Sequence, residues 1–96
     1  MTANKLTKEI IQYCALQGHF VCRVNNIPAT KYRANTLTRG IPDIMGCTKT
    51  GKALGIEIKT TDKQSEFQKE FENHYLKRGG IYILAHSLND VIERGI

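Results

Sequence analysis

The chain has no Cys-x-x-Cys pair, no His-x-x-x-His pair and no His-Asn-His run. Zinc ribbons, zinc hydrolases and ββα-metal nucleases are built on such spacings, so the sequence offers them little support. The three cysteines, Cys14, Cys22 and Cys47, are odd in number, which argues against a disulfide framework and for reduced thiols in a cytoplasmic protein. No apolar run approaches the roughly 18 residues of a membrane span. Lys5, Lys8 and Glu9 interrupt any signal-peptide core, so a soluble intracellular protein with no membrane partner is expected. Repeats, low-complexity tracts and linkers are missing too, and 96 residues suit one domain better than two. Residues 1–96 are therefore expected to form a single domain.

Acidic residues are in short supply. Nine Asp and Glu face 14 Lys and Arg, a formal charge of +5, and such an excess attracts polyanions without specifying a fold. If Glu9, Asp43 and Glu57 are committed to a metal, 14 basic residues face 6 acidic ones, or +8, and a nucleic acid becomes the expected partner. Apolar residues at 41% and charged residues at 24% keep the chain within the globular range.

Leu6 to Gln17 recurs on a helical period, with Leu6, Ile10, Tyr13 and Cys14 on one face and Gly18 placed to end the helix. His19 to Asn25 alternates as a strand covered at least partly on both faces. Asn26 to Gly40 has no sustained period and carries Lys31, Arg33 and Arg39 without an acid, so it reads as a basic loop. Ile41 to Thr48 and Lys52 to Thr60 are strand-like and flank Lys49-Thr50-Gly51, which suits a three-residue hairpin ending in a left-handed glycine. Ser65 to Arg78 opens with Ser-x-x-Gln and places Phe67, Phe71 and Tyr75 at four-residue steps before Gly79-Gly80, the pattern of an amphipathic helix. Ile81 to His86 is a short apolar strand. Ser87 and Asp90 suggest a cap for a last helix through Arg94, ended by Gly95. The predicted order is α-β-β-β-α-β-α.

Side chains alternate along a strand, so Gly55, Glu57 and Lys59 share one face of the third strand and Leu54, Ile56 and Ile58 the other. With the hairpin loop at Lys49 to Gly51, Thr48 opposes Lys52 and the numbers of each opposed pair sum to 100. Asp43 then faces Glu57. Two like charges at such a separation are destabilising unless a cation lies between them, and converging carboxylates suit a hard divalent ion. A slip of one residue would send Asp43 to the other face. An E-x-K triplet by itself is equally an exposed ion pair. Glu9 borders the buried helix face between Leu16 and Tyr13, where it could point at the sheet or form a rim salt bridge.

Taken together, Glu9 on the first helix, Arg23-x-Asn25 at the strand end, Gly40-Ile41-Pro42-Asp43, Glu57-Ile58-Lys59 and Gln68 in Ser-Glu-Phe-Gln resemble the virus-type replication-repair nuclease (VRR-NUC) domain of the PD-(D/E)xK nucleases. The resemblance spans nearly the whole chain. It implies a restriction-endonuclease-like α/β core, a mixed sheet flanked by helices. It implies Mg²⁺ or Mn²⁺ held by Asp43, Glu57 and the backbone carbonyl of Ile58, with Glu9 reaching the metal directly or through water. Lys59 would position the attacking water or stabilise developing charge, and Gln68 would support the lysine or the water. Gln68 is also the partner a Ser65 capping box requires, and one residue is expected to serve only one of these roles.

The chemistry so implied is metal-dependent hydrolysis of DNA phosphodiesters without an organic cofactor. Arg23, Asn25, Lys31, Arg33 and Arg39 are the expected DNA contacts, acting as a group on phosphates. The family's kinship with junction resolvases implies branched DNA such as Holliday junctions, a C2 homodimer and a phage or prophage setting. The alternatives are a non-catalytic DNA-binding module on the same fold, against which the intact Asp-Glu-Lys set argues, and a purely structural domain, which gives no reason to oppose Asp43 to Glu57.

Overall fold

The computed structural model describes residues 2–24, 40–59 and 63–96. The basic loop with Lys31, Arg33 and Arg39, together with Asn25, lies outside the described residues.

Helix α1 runs Ala3–Leu16, three residues earlier than its apolar period suggests, because the Thr2 side chain caps it by accepting from the Lys5 amide at 3.1 Å. Leu6, Thr7, Ile10 and Cys14 are its buried stripe, and Tyr13 ties its hydroxyl to the Ile96 carbonyl at 2.7 Å. Leu16 is 85% exposed, so the stripe is narrower than the wheel implies. Strand β1, Phe20–Arg23, follows the turn at Gly18. The expectation that both its faces are covered fails, since Phe20 is 74% exposed and Cys22 is exposed.

Strands β2 (Ile44–Cys47) and β3 (Ala53–Ile58) form the expected hairpin. Gly51 takes φ +92°, the left-handed conformation that closes a three-residue loop, and the Thr48 amide donates to the Lys52 carbonyl at 2.8 Å. The register runs Ile44↔Ile56 to Cys47↔Ala53, in agreement with the pairing rule. Strand β2 starts at Ile44 rather than Ile41, since Pro42 has no N–H to give a ladder.

Helix α2, Glu66–Lys77, crosses over to strand β4, Ile81–Ala85, which joins β3 in parallel. Helix α3, Leu88–Glu93, closes the described chain. Its cap differs from expectation. The Ser87 side chain makes no capping bond, and Asp90 instead accepts from the His86 amide at 2.8 Å.

The result is a compact α/β fold with a four-stranded mixed sheet in the order β1-β2-β3-β4 and three helices among the described residues. Leu6, Ile10 and Cys14 of α1 pack with Ile44, Leu54, Ile56, Ile58, Ile83, Ala85, Val91 and Ile96 into one apolar cluster. Burying each large aliphatic contributes about 1.5–3 kcal/mol. The pleat sends Gly55 and Tyr82 to the opposite face, where Phe71 of α2 stacks on Tyr75 at 4.8 Å and lies 6.4 Å from Tyr82. Glu57 shares that second face, between the sheet and the start of α2.

Candidate active site

Gly40 begins the approach to Asp43. A Cβ there would lie 2.2 Å from the Phe67 carbonyl oxygen, so only glycine lets this turn rest on the first turn of α2. Pro42 is fully buried and a Cβ on Gly55 would be 3.1 Å from its ring. These contacts seat the segment against both β3 and α2. Asp43 is then fixed from two sides. Its carbonyl accepts from the Val24 amide at 2.8 Å, and its Oδ2 accepts from the Ile58 amide at 2.9 Å.

Across the hairpin stands Glu57, only 3% exposed. It meets the Asp43 carboxyl within hydrogen-bonding reach, one step beyond the last ladder pair, Ile44↔Ile56. Burial pushes Glu57 up from its ordinary 4.5, and the hydrogen bond to Asp43 and the Asp43 charge push it further. The Lys59 ammonium and the Asp43 amide pull the other way, and the outcome is about 8. Glu57 therefore holds its proton at neutral pH, hydrogen-bonded to Asp43. Lys59 is half-buried just past the end of β3, with its amide donating to the Ala85 carbonyl at 3.0 Å.

Gln68 caps α2 and contacts the candidate site at once, because a primary amide has two ends. Its Oε1 accepts from the Ser65 amide at 2.9 Å, its own amide donates to Ser65 Oγ at 3.2 Å, and its Nε2 donates to Glu57 Oε2. The capping box settles which end of the amide faces the carboxyl. Its partner is Glu57, where the expectation was the lysine or a water.

The other predicted residues are not gathered here. Among the described residues no three His, Cys, Asp or Glu side chains form a metal-binding group, so Asp43 and Glu57 stand as a pair and half-buried Glu9 is not brought to them. Arg23 pairs with Ile44, whose side chain enters the α1-side core, and its guanidinium donates to Asn4 Oδ1 at 2.6 Å. It leaves the sheet on the side away from Asp43.

One buried polar group was missed. Tyr82 is 1% exposed, and burial with the nearby Glu57, Glu72 and Asp43 charges pushes its hydroxyl up to about 12, the Gln64 amide pulling the other way. That hydroxyl has no well-formed hydrogen bond among the described residues, since Gln64 Nε2 is turned to Glu72 Oε1 at 3.0 Å. The signal was available in part, because Tyr82 faces Gly55 in the parallel pairing and so shares the face of Glu57. No family model, curated protein or solved structure matches the chain. Among the described residues, no helix is long and apolar enough to cross a membrane.

Proposed function

We propose that the protein is a divalent-metal-dependent DNA endonuclease with its centre at Asp43, Glu57 and Lys59. The observation that carries this reading is a carboxyl pair, buried Glu57 on β3 and half-buried Asp43 just before β2, that meets across the hairpin and whose repulsion helps hold the proton on Glu57. Such a pair is a poor structural choice and a good hard-oxygen donor set. Asp43, Glu57 and the Ile58 carbonyl would hold Mg²⁺ or Mn²⁺, and Glu9 is left outside that set. A bound ion of this kind supplies polarisation of a phosphoryl oxygen and a hydroxide near neutral pH.

The chain's own groups do the rest. Gln68 fixes the orientation of Glu57 from the α2 side, and Asp43 is held by the Ile58 amide. Lys59, whose charge already acts on Glu57, offsets negative charge developing on the phosphate. The motif resemblance to VRR-NUC nucleases supports branched DNA as substrate and a C2 homodimer as the working form. Lys31, Arg33 and Arg39 are the proposed phosphate contacts, with the net charge of +5 in support.

The test is cleavage of a four-way junction and of linear duplex by the purified protein with Mg²⁺, Mn²⁺ or chelator. Cutting is expected with either ion only, and loss is expected in Asp43→Asn and Lys59→Ala. DNA that is bound but never cut would reject the enzyme and leave the DNA-binding module.

A further inference from the structure

At the other end of α2, a pocket of about 360 Å³ opens between the β2–β3 hairpin and the helix C-terminus. Lys52 lines it at the start of β3, and His74, Tyr75 and Arg78 line it at the last turns of α2, with Gly79 and Gly80 completing the wall. No Asp or Glu lines it. The ion pairs among the described residues are Lys69–Glu66 and His86–Asp90, so neither Lys52 nor Arg78 is paired with a carboxylate there. Lys52, His74, Tyr75 and Arg78 thus border an open pocket without an acid, a composition complementary to a compact anion.

A helix C-terminus repels anions through its unsatisfied carbonyls, and here three of them accept hydrogen bonds. The Tyr75 carbonyl accepts from the Arg78 and Gly80 amides at 3.1 and 2.8 Å, and the Leu76 carbonyl accepts from the Gly79 amide at 3.2 Å. Arg78 Nη1 donates to the His74 carbonyl at 3.1 Å, which holds the guanidinium at the pocket wall. The His74, Tyr75 and Leu76 carbonyls at this end of the helix are thus satisfied by hydrogen bonds.

The pocket also lies on the same side of the sheet as the carboxyl pair. Ala53 in its wall has the parity of Gly55 and Glu57. A Cβ on Gly55 would touch both Pro42, at 3.1 Å, and Tyr75, at 3.2 Å, so the Asp43 segment and the pocket wall abut across that residue. Ala53 and Glu57 are four residue steps apart on the strand, a span of about 13 Å.

We propose that the Lys52–His74–Arg78 pocket binds a phosphate group, and that its source is a backbone phosphate of the nucleic acid cut at Asp43 and Glu57. The second half rests on the nuclease reading; the first does not. The pocket makes the α2 side of the sheet a track with two phosphate positions, one reactive and one anchoring.

The experiment uses the full chain in chelator, so that DNA stays intact. Inorganic phosphate is titrated while the amide resonances of Gly51, Gly79 and Gly80 are followed. A single-stranded oligonucleotide is then titrated across a salt series against wild type, Lys52→Gln and Lys52→Gln/Arg78→Gln. Phosphate should move the three glycine amides. The slope of log affinity against log salt should flatten by about 0.7 for the single variant and about 1.4 for the double. Phosphate shifts with unchanged slopes would assign the pocket to free phosphate and overturn the nucleic-acid half. No glycine shift and no slope change would overturn the whole. Exposed Lys52 has no hydrogen-bonded role for its side chain among the described residues, so its single variant decides the matter even if loss of the Arg78 cap unfolds the double. Flattened slopes alongside DNA left uncut with Mg²⁺ or Mn²⁺ would remove the nuclease reading and leave the pocket standing.

Discussion

Replacing Glu57 by Gln should stabilise the metal-free protein, and increasingly so as pH rises. The folded state keeps a proton on Glu57 up to about pH 8, whereas the unfolded chain gives it up near its ordinary value of 4.5. Below pH 4.5 both states hold the proton and the carboxyl has no effect on stability. Between those values the folded state binds more protons than the unfolded one, so stability falls as pH rises, and above about pH 8 the loss is complete. At about 1.4 kcal/mol per pH unit the full loss is about 5 kcal/mol, a large share of the roughly 5–15 kcal/mol that holds a small domain together. Entry of water into the site lowers that figure. A glutamine keeps the acceptor for Gln68 and supplies a permanent N–H toward Asp43, so it retains the contacts and loses the ionisation. Urea unfolding of both proteins in chelator at pH 5 and pH 8.5 isolates the effect as a difference of differences. The advantage of Glu57→Gln should widen by at least about 1.5 kcal/mol, a relative midpoint shift of about 1 M at a urea slope near 1 kcal/mol/M. A variant no more stable than wild type at pH 8.5, or a gap that does not change with pH, would refute the reasoning.

Other outcomes follow from the same contacts. Gly40→Ala should cost about 1–3 kcal/mol in thermal or urea unfolding, because its Cβ would collide with the Phe67 backbone, and DNA cleavage should fall with it as Asp43 is displaced. Ser65→Ala should cost about 1 kcal/mol of stability yet cleave DNA close to wild type, since the Ser65 amide still holds Gln68 Oε1. Ser65→Pro removes that amide and should lose cleavage as well, so equal activity of the two variants would show that the capping box does not position Gln68. Tyr82→Phe should change stability by less than about 1 kcal/mol or raise it, because the hydroxyl it removes is buried without a well-formed bond.

The parts of this fold governed by short-range rules were readable from the residues. A left-handed glycine in a three-residue loop sets the hairpin register, and the register carries Asp43 to Glu57 through a count of residues alone. The Ser65-x-x-Gln68 cap was readable for the same reason. What escaped depends on contacts between distant segments. That Gln68 caps a helix and holds Glu57 at once requires knowing that α2 begins beside the end of β3. The helical wheel set Glu9 between Leu16 and Tyr13 as if both were buried, but Leu16 is 85% exposed. Which residues of α1 meet the sheet is decided by packing, which periodicity does not encode. Ser87 matched a capping pattern, yet its helix is only six residues long and Asp90 turns to the His86 amide instead. Exposure of Phe20 and Cys22 likewise reflects what packs over β1, a property of neighbours and not of alternation.

The most direct measurement is a calorimetric titration of the protein with Mn²⁺ at pH 7 in buffers of different ionisation enthalpy, repeated with Asp43→Asn and Glu57→Gln. Wild type should bind the ion and release about one proton, the one held by Glu57, and each variant should lose the binding. Absence of binding, or binding that survives both substitutions, would contradict the assignment of this carboxyl pair as a metal centre.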